Sequence, residues 1–212
     1  MKKYDTVIFD LDGTLLNTLT DLTDAVNYAL AKCGLPLRKA DEVRQYLGDG
    51  YKLLIERAAG GGTDCLDTAY AHFTEYYSQH MEDNTSPYDG VLDALKKLHA
   101  AGKKTAIVSN KGDAAVKVLC RKFFYPYIAE YYGVTDAMPK KPAPDMLFAA
   151  MKKLGADKST TVMLGDGEAD IEMARGAGID IISVSWGYRT REFLHSNGAD
   201  KIIDDISELN FC

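Results

Sequence analysis

Four short apolar runs rich in β-branched residues recur along this chain, and helix-length patterns separate them. The runs cover residues 6–9, 105–108, 161–164 and 181–184. Each has the length and composition of a buried strand. Between the runs, apolar residues recur at three- and four-residue spacing and stop at glycine, as in residues 91–102. Strands that alternate with helices predict an α/β fold, in which helices cover both faces of a parallel sheet.

Residues 16–85 interrupt this alternation because they contain helical patterns and no convincing strand. The patterns cover residues 22–30, 43–59 and 66–81, and Gly48-Asp49-Gly50 interrupts the second. We therefore expect three helical segments inserted after the first strand. The predicted division is a core of residues 1–15 and 86–212 and a helical cap of residues 16–85.

Composition and charge exclude several classes of protein. The chain has 212 residues, of which 46% are hydrophobic, so it can bury a substantial core. Its net charge is −6 and it has no basic tract, which argues against a nucleic-acid partner. Its apolar runs are shorter than the roughly 18 residues of a membrane span, and its start does not resemble a signal peptide. We expect a cytoplasmic protein with no membrane partner.

The cysteine pattern favours thiols with a structural role. Cys33, Cys65, Cys120 and Cys212 are widely spaced and form no C-x-x-C pair. Four cysteines spread this thinly over 212 residues are not read as a disulfide framework. The sequence therefore predicts reduced cysteines.

Polar residues follow three of the predicted strands at the point where each strand ends. The three segments are Asp10-Leu11-Asp12-Gly13-Thr14, Ser109-Asn110-Lys111 and Gly165-Asp166-Gly167-Glu168-Ala169-Asp170. Ligands of an open parallel sheet bind outside the carboxyl ends of its strands. Side chains alternate along a strand, so Asp10 and Asp12 point the same way. We expect these carboxylates and the Ser109 hydroxyl to share one site.

Clustered carboxylates can accept a phosphate group only if a cation neutralises them. With Asp166 and Asp170 close to Asp10, the predicted ligand set consists of oxygen atoms, which suits Mg²⁺. Positive charge for the phosphoryl oxygens is expected from Lys140-Lys141, because Pro142-Ala143-Pro144 holds that loop extended.

The sequence resembles the haloacid dehalogenase superfamily of phosphohydrolases. The four motifs of that family are similar to Asp10-x-Asp12-Gly13-Thr14, Ser109, Lys141 and Gly165-Asp166-x-x-x-Asp170, in this order over nearly the whole chain. The helical insertion is similar to the C1 cap of the phosphoglycolate phosphatase-like branch. Two further segments share this likeness, Val43-Arg44-x-x-Leu47-Gly48-x-Gly50 and Trp186-Gly187-Tyr188.

The resemblance implies a Rossmann-like core, a Mg²⁺ cofactor and hydrolysis of a phosphomonoester through an aspartyl-phosphate. It implies that Asp10 is the nucleophile and Asp12 the general acid and base. The implied phosphate-binding residues are Thr14, Ser109, Asn110 and Lys141. The implied Mg²⁺ ligands are Asp10, the main-chain carbonyl of Asp12 and Asp166. Asp170 is implied to support the metal site without binding the ion directly.

We expect the cap to select a small phosphorylated metabolite, with phosphoglycolate suggested by the resemblance. Residues 16–85 hold 11 Asp and Glu against 6 Lys and Arg, which disfavours bulky polyanions. The substrate-selecting residues are predicted to be Arg44, Gly48, Asp49 and Gly50, on a cap that closes as a hinged lid.

Other activities remain open at this point. The same scaffold supports a phosphomutase, a pyrophosphatase, a nucleotidase or a dehalogenase. A mutase is disfavoured because no histidine follows the first motif closely. A phosphoaspartate receiver module fits poorly, because receivers carry adjacent acids after the first strand and have no inserted cap of about 70 residues.

Overall fold

A parallel sheet of six strands forms the centre of the molecule. The computed structural model describes residues 3–61 and 64–209. Its strands are β1 (Thr6–Phe9), β2 (Leu16–Asn17), β3 (Ser86–Pro87), β4 (Lys104–Gly112), β5 (Glu130–Val134), β6 (Thr161–Gly165), β7 (Asp180–Val184) and β8 (Ile202–Ile203). The main sheet has the order β5-β4-β1-β6-β7-β8, and all of its pairings are parallel.

Helices cover both faces of this sheet. They are α1 (Leu19–Lys32), α2 (Ala40–Tyr46), α3 (Tyr51–Ala59), α4 (Leu66–His80), α5 (Val91–Ala100), α6 (Asp113–Phe124), α7 (Asp145–Leu154), α8 (Glu168–Ala177) and α9 (Arg191–Ser196). Helices α5 and α6 pack on the face that carries Val7 and Phe9, and α7 and α8 pack on the face that carries Ile8. Successive side chains of β1 point to opposite faces, and both faces are buried.

Helices α1 to α4 lie between β2 and β3 in the sequence, and these two strands pair with each other in a small antiparallel ribbon. In this ribbon, Leu16 of β2 is opposite Pro87 of β3, and Asn17 is opposite Ser86. The apolar cluster on the α5 side of the sheet continues into the inserted helices. The helical character of this segment agrees with the sequence, and its boundaries as a separate domain stay a prediction.

The second predicted helical pattern forms two helices. Helix α2 ends at Tyr46 and α3 begins at Tyr51. Gly48 and Gly50, between them, have φ values of +113° and +87°. Only glycine adopts such values without steric cost, and they end a right-handed helix. The three predicted patterns therefore correspond to four helices in the part of the chain that the structure describes.

The predicted α/β fold is confirmed, and the four predicted strands are present. The sequence did not predict β5 and β8, which lie at the two edges of the sheet, or the short strands β2 and β3. Strand β2 at Leu16–Asn17 also shows that the expectation of no strand in residues 16–85 was wrong at the start of that segment. Helix α8 ends at Ala177, and Gly178 follows it with a φ of +72°. Within the described ranges, no helix combines the length and hydropathy that a bilayer crossing requires. Of the cysteines, Cys120 is buried in α6, and Cys212 lies outside the described residues.

Candidate active site

The carboxyl ends of the three central strands meet at one edge of the sheet. Phe9, the last residue of β1, is in register with Ile107 of β4 on one side and Leu164 of β6 on the other. Asp10, Ser109 and Asp166 come one or two residues after these positions, and all three are buried. The polar residues predicted at strand ends are therefore brought together.

Three buried carboxylates form a cluster at this edge. Oxygen atoms of Asp10, Asp166 and Asp170 lie within 4.8 Å of one another. Lys141 Nζ donates a short hydrogen bond to Asp10 Oδ1 and another to Asp170 Oδ1 at 2.7 Å. Thr14 Oγ1 lies 3.4 Å from Asp10 Oδ2 and 3.3 Å from Asp166 Oδ1. One ammonium thus faces three carboxylates, which leaves the cluster with excess negative charge.

This excess changes the pKa values in the cluster. Burial, helped by the Asp170 charge, raises the pKa of Asp166 to about 7. Burial also raises the pKa of Asp10 well above its usual range, although the Lys141 ammonium opposes the rise. For Lys141, burial acts downwards, but the charges of Asp10 and Asp170 outweigh it and raise the pKa. Because the pKa values of Asp10 and Asp166 are both raised, the cluster needs further positive charge to hold these carboxylates ionised.

A divalent cation fits this cluster. The side-chain donors are all carboxylate oxygens, which Mg²⁺ prefers, and a second cation would relieve the repulsion that raises the pKa of Asp10 and Asp166. The resemblance implied that Asp170 does not bind the ion directly. In the structure, however, its carboxylate lies in the same 4.8 Å group as those of Asp10 and Asp166. The Asp12 side chain is not a member of this group.

The Asp12 carboxylate has separate partners. Its Oδ1 accepts hydrogen bonds from Lys111 Nζ and from Thr18 Oγ1, both at 2.7 Å. Thr18 Oγ1 in turn lies 2.8 Å from Tyr188 Oη. Burial acts to lower the pKa of Lys111, but the Asp12 charge opposes this and the pKa is raised overall. This role of Lys111 was not predicted from the sequence. Its spacing of two residues from Ser109, which places both on one side of β4, was the available signal.

Ser109 and Asn110 have different surroundings. Ser109 is buried, lines the cleft described below, and accepts a hydrogen bond from Lys111 N at 3.3 Å. Asn110 uses its side-chain amide within the protein: Oδ1 accepts from Lys141 N at 2.7 Å and Nδ2 donates to Gly48 O at 2.8 Å. Asn110 therefore connects the Lys141 loop to the cap, a role that the sequence did not indicate.

A cleft that is open to solvent lies above the cluster. Asp10, Asp12 and Asp166 are among its core residues. On the cap side, Leu22 and Leu54 contribute apolar surface. The cleft is therefore charged where the strands end and partly apolar where the cap covers it.

The predicted substrate-selecting residues are divided between the cleft and the outer surface. Gly48, Asp49 and Gly50 line the cleft. The Asp49 carboxylate, however, accepts a hydrogen bond from Arg57 Nη2 of α3 at 2.5 Å, so it is bound within the cap. Arg44 is exposed and is not among the residues that line the cleft.

Three core side chains hold the loop between α2 and α3, which we call the cap loop (residues 47–50). They bind three consecutive carbonyl oxygens of this loop. The pairs are Arg189 Nη2 to Leu47 O (2.8 Å), Asn110 Nδ2 to Gly48 O (2.8 Å) and Lys140 Nζ to Asp49 O (3.0 Å). Arg189 also forms an ion pair with Glu168, with Nε 3.0 Å from Oε2. No pattern in the sequence indicated Arg189, and Glu168 was noted only as a member of the strand-end segment 165–170.

Comparisons with known proteins agree with this geometry. Residues 7–184 match the profile of the haloacid dehalogenase-like hydrolases. A phosphoglycolate phosphatase from Caulobacter vibrioides is 35% identical over 210 residues, which cover 96% of this chain and 88% of that protein. The enzyme of the same name from Pseudomonas syringae pv. syringae is 33% identical over 211 residues, with 96% and 77% covered.

A solved structure supports the same relationship. The crystal structure of a proposed phosphoglycolate phosphatase from Lactobacillus delbrueckii subsp. bulgaricus is 34% identical to this chain, with a TM-score of 0.94. The match covers 98% of this chain and 97% of that one.

The parallel sheet, the carboxylates at its strand ends and the inserted helices are together the features of a hydrolase whose Rossmann-like core carries a helical insertion. The chain belongs to the haloacid dehalogenase-like hydrolases. The predicted superfamily and the predicted class of enzyme, a phosphatase, are both confirmed.

Proposed function

We propose that the chain is a Mg²⁺-dependent phosphomonoester hydrolase that acts through an aspartyl-phosphate on Asp10. The position of Asp10 carries this proposal: the residue is buried, lines the cleft, bonds Lys141 and lies beside Asp166. A carboxylate can attack phosphorus there only if the surrounding negative charge is balanced. Mg²⁺, held by Asp10, Asp166 and the Asp12 main-chain carbonyl, would supply the balancing charge.

The residues of the site then have distinct tasks. The Asp10 carboxylate attacks phosphorus while Asp12 gives a proton to the leaving oxygen. Water next attacks the phosphorus of the aspartyl-phosphate, and Asp12 takes a proton from it. Ser109 and Lys141 bind phosphoryl oxygens.

The remaining predicted residues act through these groups. Thr14 and Asn110 support the phosphate site through their contacts with Asp10 and Lys141. Asp170 holds the Lys141 ammonium in place.

We further propose a small phosphomonoester as the substrate, with phosphoglycolate as the first candidate. The names of the relatives support this choice, and so does the cleft. Among the described residues, the lysine and arginine side chains that line it are Lys111, Lys141 and Arg189, and each pairs with a carboxylate. A leaving group with several negative charges would find little to neutralise it.

A substrate panel with Mg²⁺ tests the proposal. Phosphate release is measured for phosphoglycolate, a sugar phosphate, a nucleoside monophosphate, pyrophosphate and p-nitrophenyl phosphate, with halide release from a haloacid in parallel. Acid quenching with ³²P-labelled substrate should trap labelled protein in the wild type and none in Asp10→Asn. Phosphate release that continues in excess EDTA would contradict the metal requirement, and release from Asp10→Asn would contradict the nucleophile.

A further inference from the structure

Lys111 is a buried lysine beside the active site that the steps above do not use. Its side chain is 0% exposed, although it lies on β4 only two residues after Ser109. Its Nζ donates to Asp12 Oδ1 at 2.7 Å. Burying an ammonium is costly unless the charge is paired and hydrogen-bonded. This bond therefore fixes where the end of the side chain lies.

Two cap tyrosines enclose the Lys111 ammonium. Nζ lies 4.9 Å from the ring centre of Tyr77 in α4 and 5.6 Å from that of Tyr51 in α3. The two rings contact each other edge to face, with centroids 5.5 Å apart. Aromatic faces attract cations, most strongly where water is excluded. The ammonium is thus held between the cap and one oxygen of Asp12.

The two carboxylate oxygens of Asp12 differ in their partners. Oδ1 accepts from Lys111 and from Thr18 Oγ1. Among residues 3–61 and 64–209, no hydrogen bond ends on Oδ2. The side chain lines the cleft and is 18% exposed. Oδ2 is therefore the oxygen left to exchange a proton with the substrate or with water.

We propose that Lys111 is a positioning residue, which orients the Asp12 carboxylate for proton transfer; this inference rests on the proposed function. When the bond from phosphorus to the leaving oxygen breaks, Asp12 Oδ2 gives its proton to that oxygen. When water attacks phosphorus and the bond to Asp10 breaks, Oδ2 takes a proton from the water. Lys111 keeps its protons in both steps. Its bond to Oδ1 prevents the carboxylate from rotating, so Oδ2 stays towards the cleft.

Leaving groups of different basicity test this role. Lys111→Met keeps the side-chain length and removes the charge and the donors. Single-turnover release, with enzyme in excess and Mg²⁺ saturating, is compared for the best alkyl phosphomonoester of the panel and for p-nitrophenyl phosphate. We expect about 10- to 100-fold slower release of the alkyl group, with substrate affinity nearly unchanged, and less than about threefold for nitrophenolate, which leaves without a proton. Equal slowing of both leaving groups would overturn the proposal.

A double-mutant comparison separates positioning from a general effect. If Lys111 acts through Asp12, adding Lys111→Met to Asp12→Asn should slow alkyl release by less than about twofold more. Losses that multiply would overturn the proposal. Lys111→Gln, which can still donate to Oδ1, should lie between wild type and Lys111→Met, and it replaces Lys111→Met in the comparison if that variant does not fold.

A matched control and the wild type complete the design. Lys117→Met makes the same change at Lys117, an exposed lysine of α6 that pairs with Asp113, and should leave both rates unchanged. Failure of the proposed function would look different: the wild type would then release no alkyl group with Mg²⁺, or Asp12→Asn would slow both leaving groups alike.

Discussion

The main-chain N–H of Tyr188 donates to Asp166 Oδ2 at 2.6 Å, so the segment after β7 positions a carboxylate that follows β6. The preceding residue approaches the same side chain. A Cβ on Gly187 would collide with the Asp166 side chain and with the Gly13 carbonyl. The glycine in Trp186-Gly187-Tyr188 therefore has a steric reason, because any larger residue displaces a proposed metal ligand.

We predict that Gly187→Ala weakens Mg²⁺ activation at least about tenfold, because a shift of Asp166 changes the ligand geometry that Mg²⁺ requires. Activity as a function of Mg²⁺ concentration measures this effect. Gly176→Ala is the matched control, since a Cβ at Gly176 in α8 meets nothing within 4 Å. In that helix, alanine should stabilise the fold by up to about 1 kcal/mol and leave Mg²⁺ activation unchanged. Equal Mg²⁺ dependence in the two variants would contradict the role of Gly187.

Asp10→Asn should reduce turnover by several orders of magnitude, because the amide cannot attack phosphorus. Its folding stability should equal or exceed that of the wild type, because burial raises the pKa of Asp10 and the charge is unfavourable there. Phosphate release and urea unfolding test the two parts. Mass spectrometry of the variant excludes deamidation back to aspartate, and retained turnover without deamidation would mean that another group is the nucleophile.

Without Mg²⁺, the stability of the fold should depend on the ionisation of Asp166. Its pKa is about 7 in the folded protein, against about 3.9 for an unfolded aspartate. A raised folded pKa gives a contribution to stability that is complete below about pH 4 and is lost as the pH rises through 7. In EDTA, the free energy of unfolding of the wild type should therefore fall across this window relative to Asp166→Asn. Mg²⁺ should restore it at pH 8.

Urea unfolding at pH 5 and pH 8, with EDTA and with Mg²⁺, provides the measurement. The Mg²⁺-dependent gain in stability should be larger at pH 8 than at pH 5 and should be lost in Asp166→Asn. The same pH dependence in both proteins would show that Asp166 does not control it.

Arg189→Met should raise KM for the preferred substrate about tenfold. The change removes the hydrogen bond to Leu47 O and the ion pair with Glu168, and a hydrogen bond from a charged group contributes about 1.5–3 kcal/mol. The cap loop would then be held less firmly over the cleft. Steady-state kinetics measure the effect, with Arg191→Met as the control at the exposed Arg191–Asp204 pair. Identical KM values for the two variants would show that Arg189 does not hold the loop.

Substrate choice should respond to Leu54 more than to Arg44. Leu54 is buried and lines the cleft, whereas Arg44 is exposed. Leu54→Ala enlarges the apolar side, so kcat/KM for a bulkier phosphomonoester should rise relative to that for a small one. The ratio measured with Arg44→Ala should equal that of the wild type. A changed ratio in Arg44→Ala alone would instead support the role that the sequence suggested for this residue.

The sequence predicted the elements whose signal is local. Strands β1, β4, β6 and β7 lie inside the sheet and each contains a short run of mostly apolar residues, whereas β5 and β8 lie at its edges and are only partly buried. The strand-end acids were found for the same reason, because their spacing within each segment is itself informative. The local pattern also located the helix break at Gly48 and Gly50. It did not predict that the break would produce two separate helices, α2 and α3.

The contacts that the sequence did not predict join distant segments. Lys111 and Asp12 are 99 residues apart, and Arg189 and Leu47 are 142 residues apart. No periodicity along the chain reports such distances, since the first depends on the pairing of β1 with β4 and the second on how the cap is seated on the sheet. The same holds for the Asn110 side chain, whose partners are set by the position of the cap loop.

The pairing of β2 with β3 makes the inserted helices modular. Because Leu16 lies opposite Pro87, the chain leaves and re-enters the core at neighbouring points, and none of the insertion's described residues belongs to a strand of the main sheet. A different insertion that begins and ends at these two points would leave the strand order unchanged. Evolution can therefore exchange the part that covers the substrate while the strand-end carboxylates stay in register, and a cap transplanted between relatives at this junction should carry its substrate preference with it.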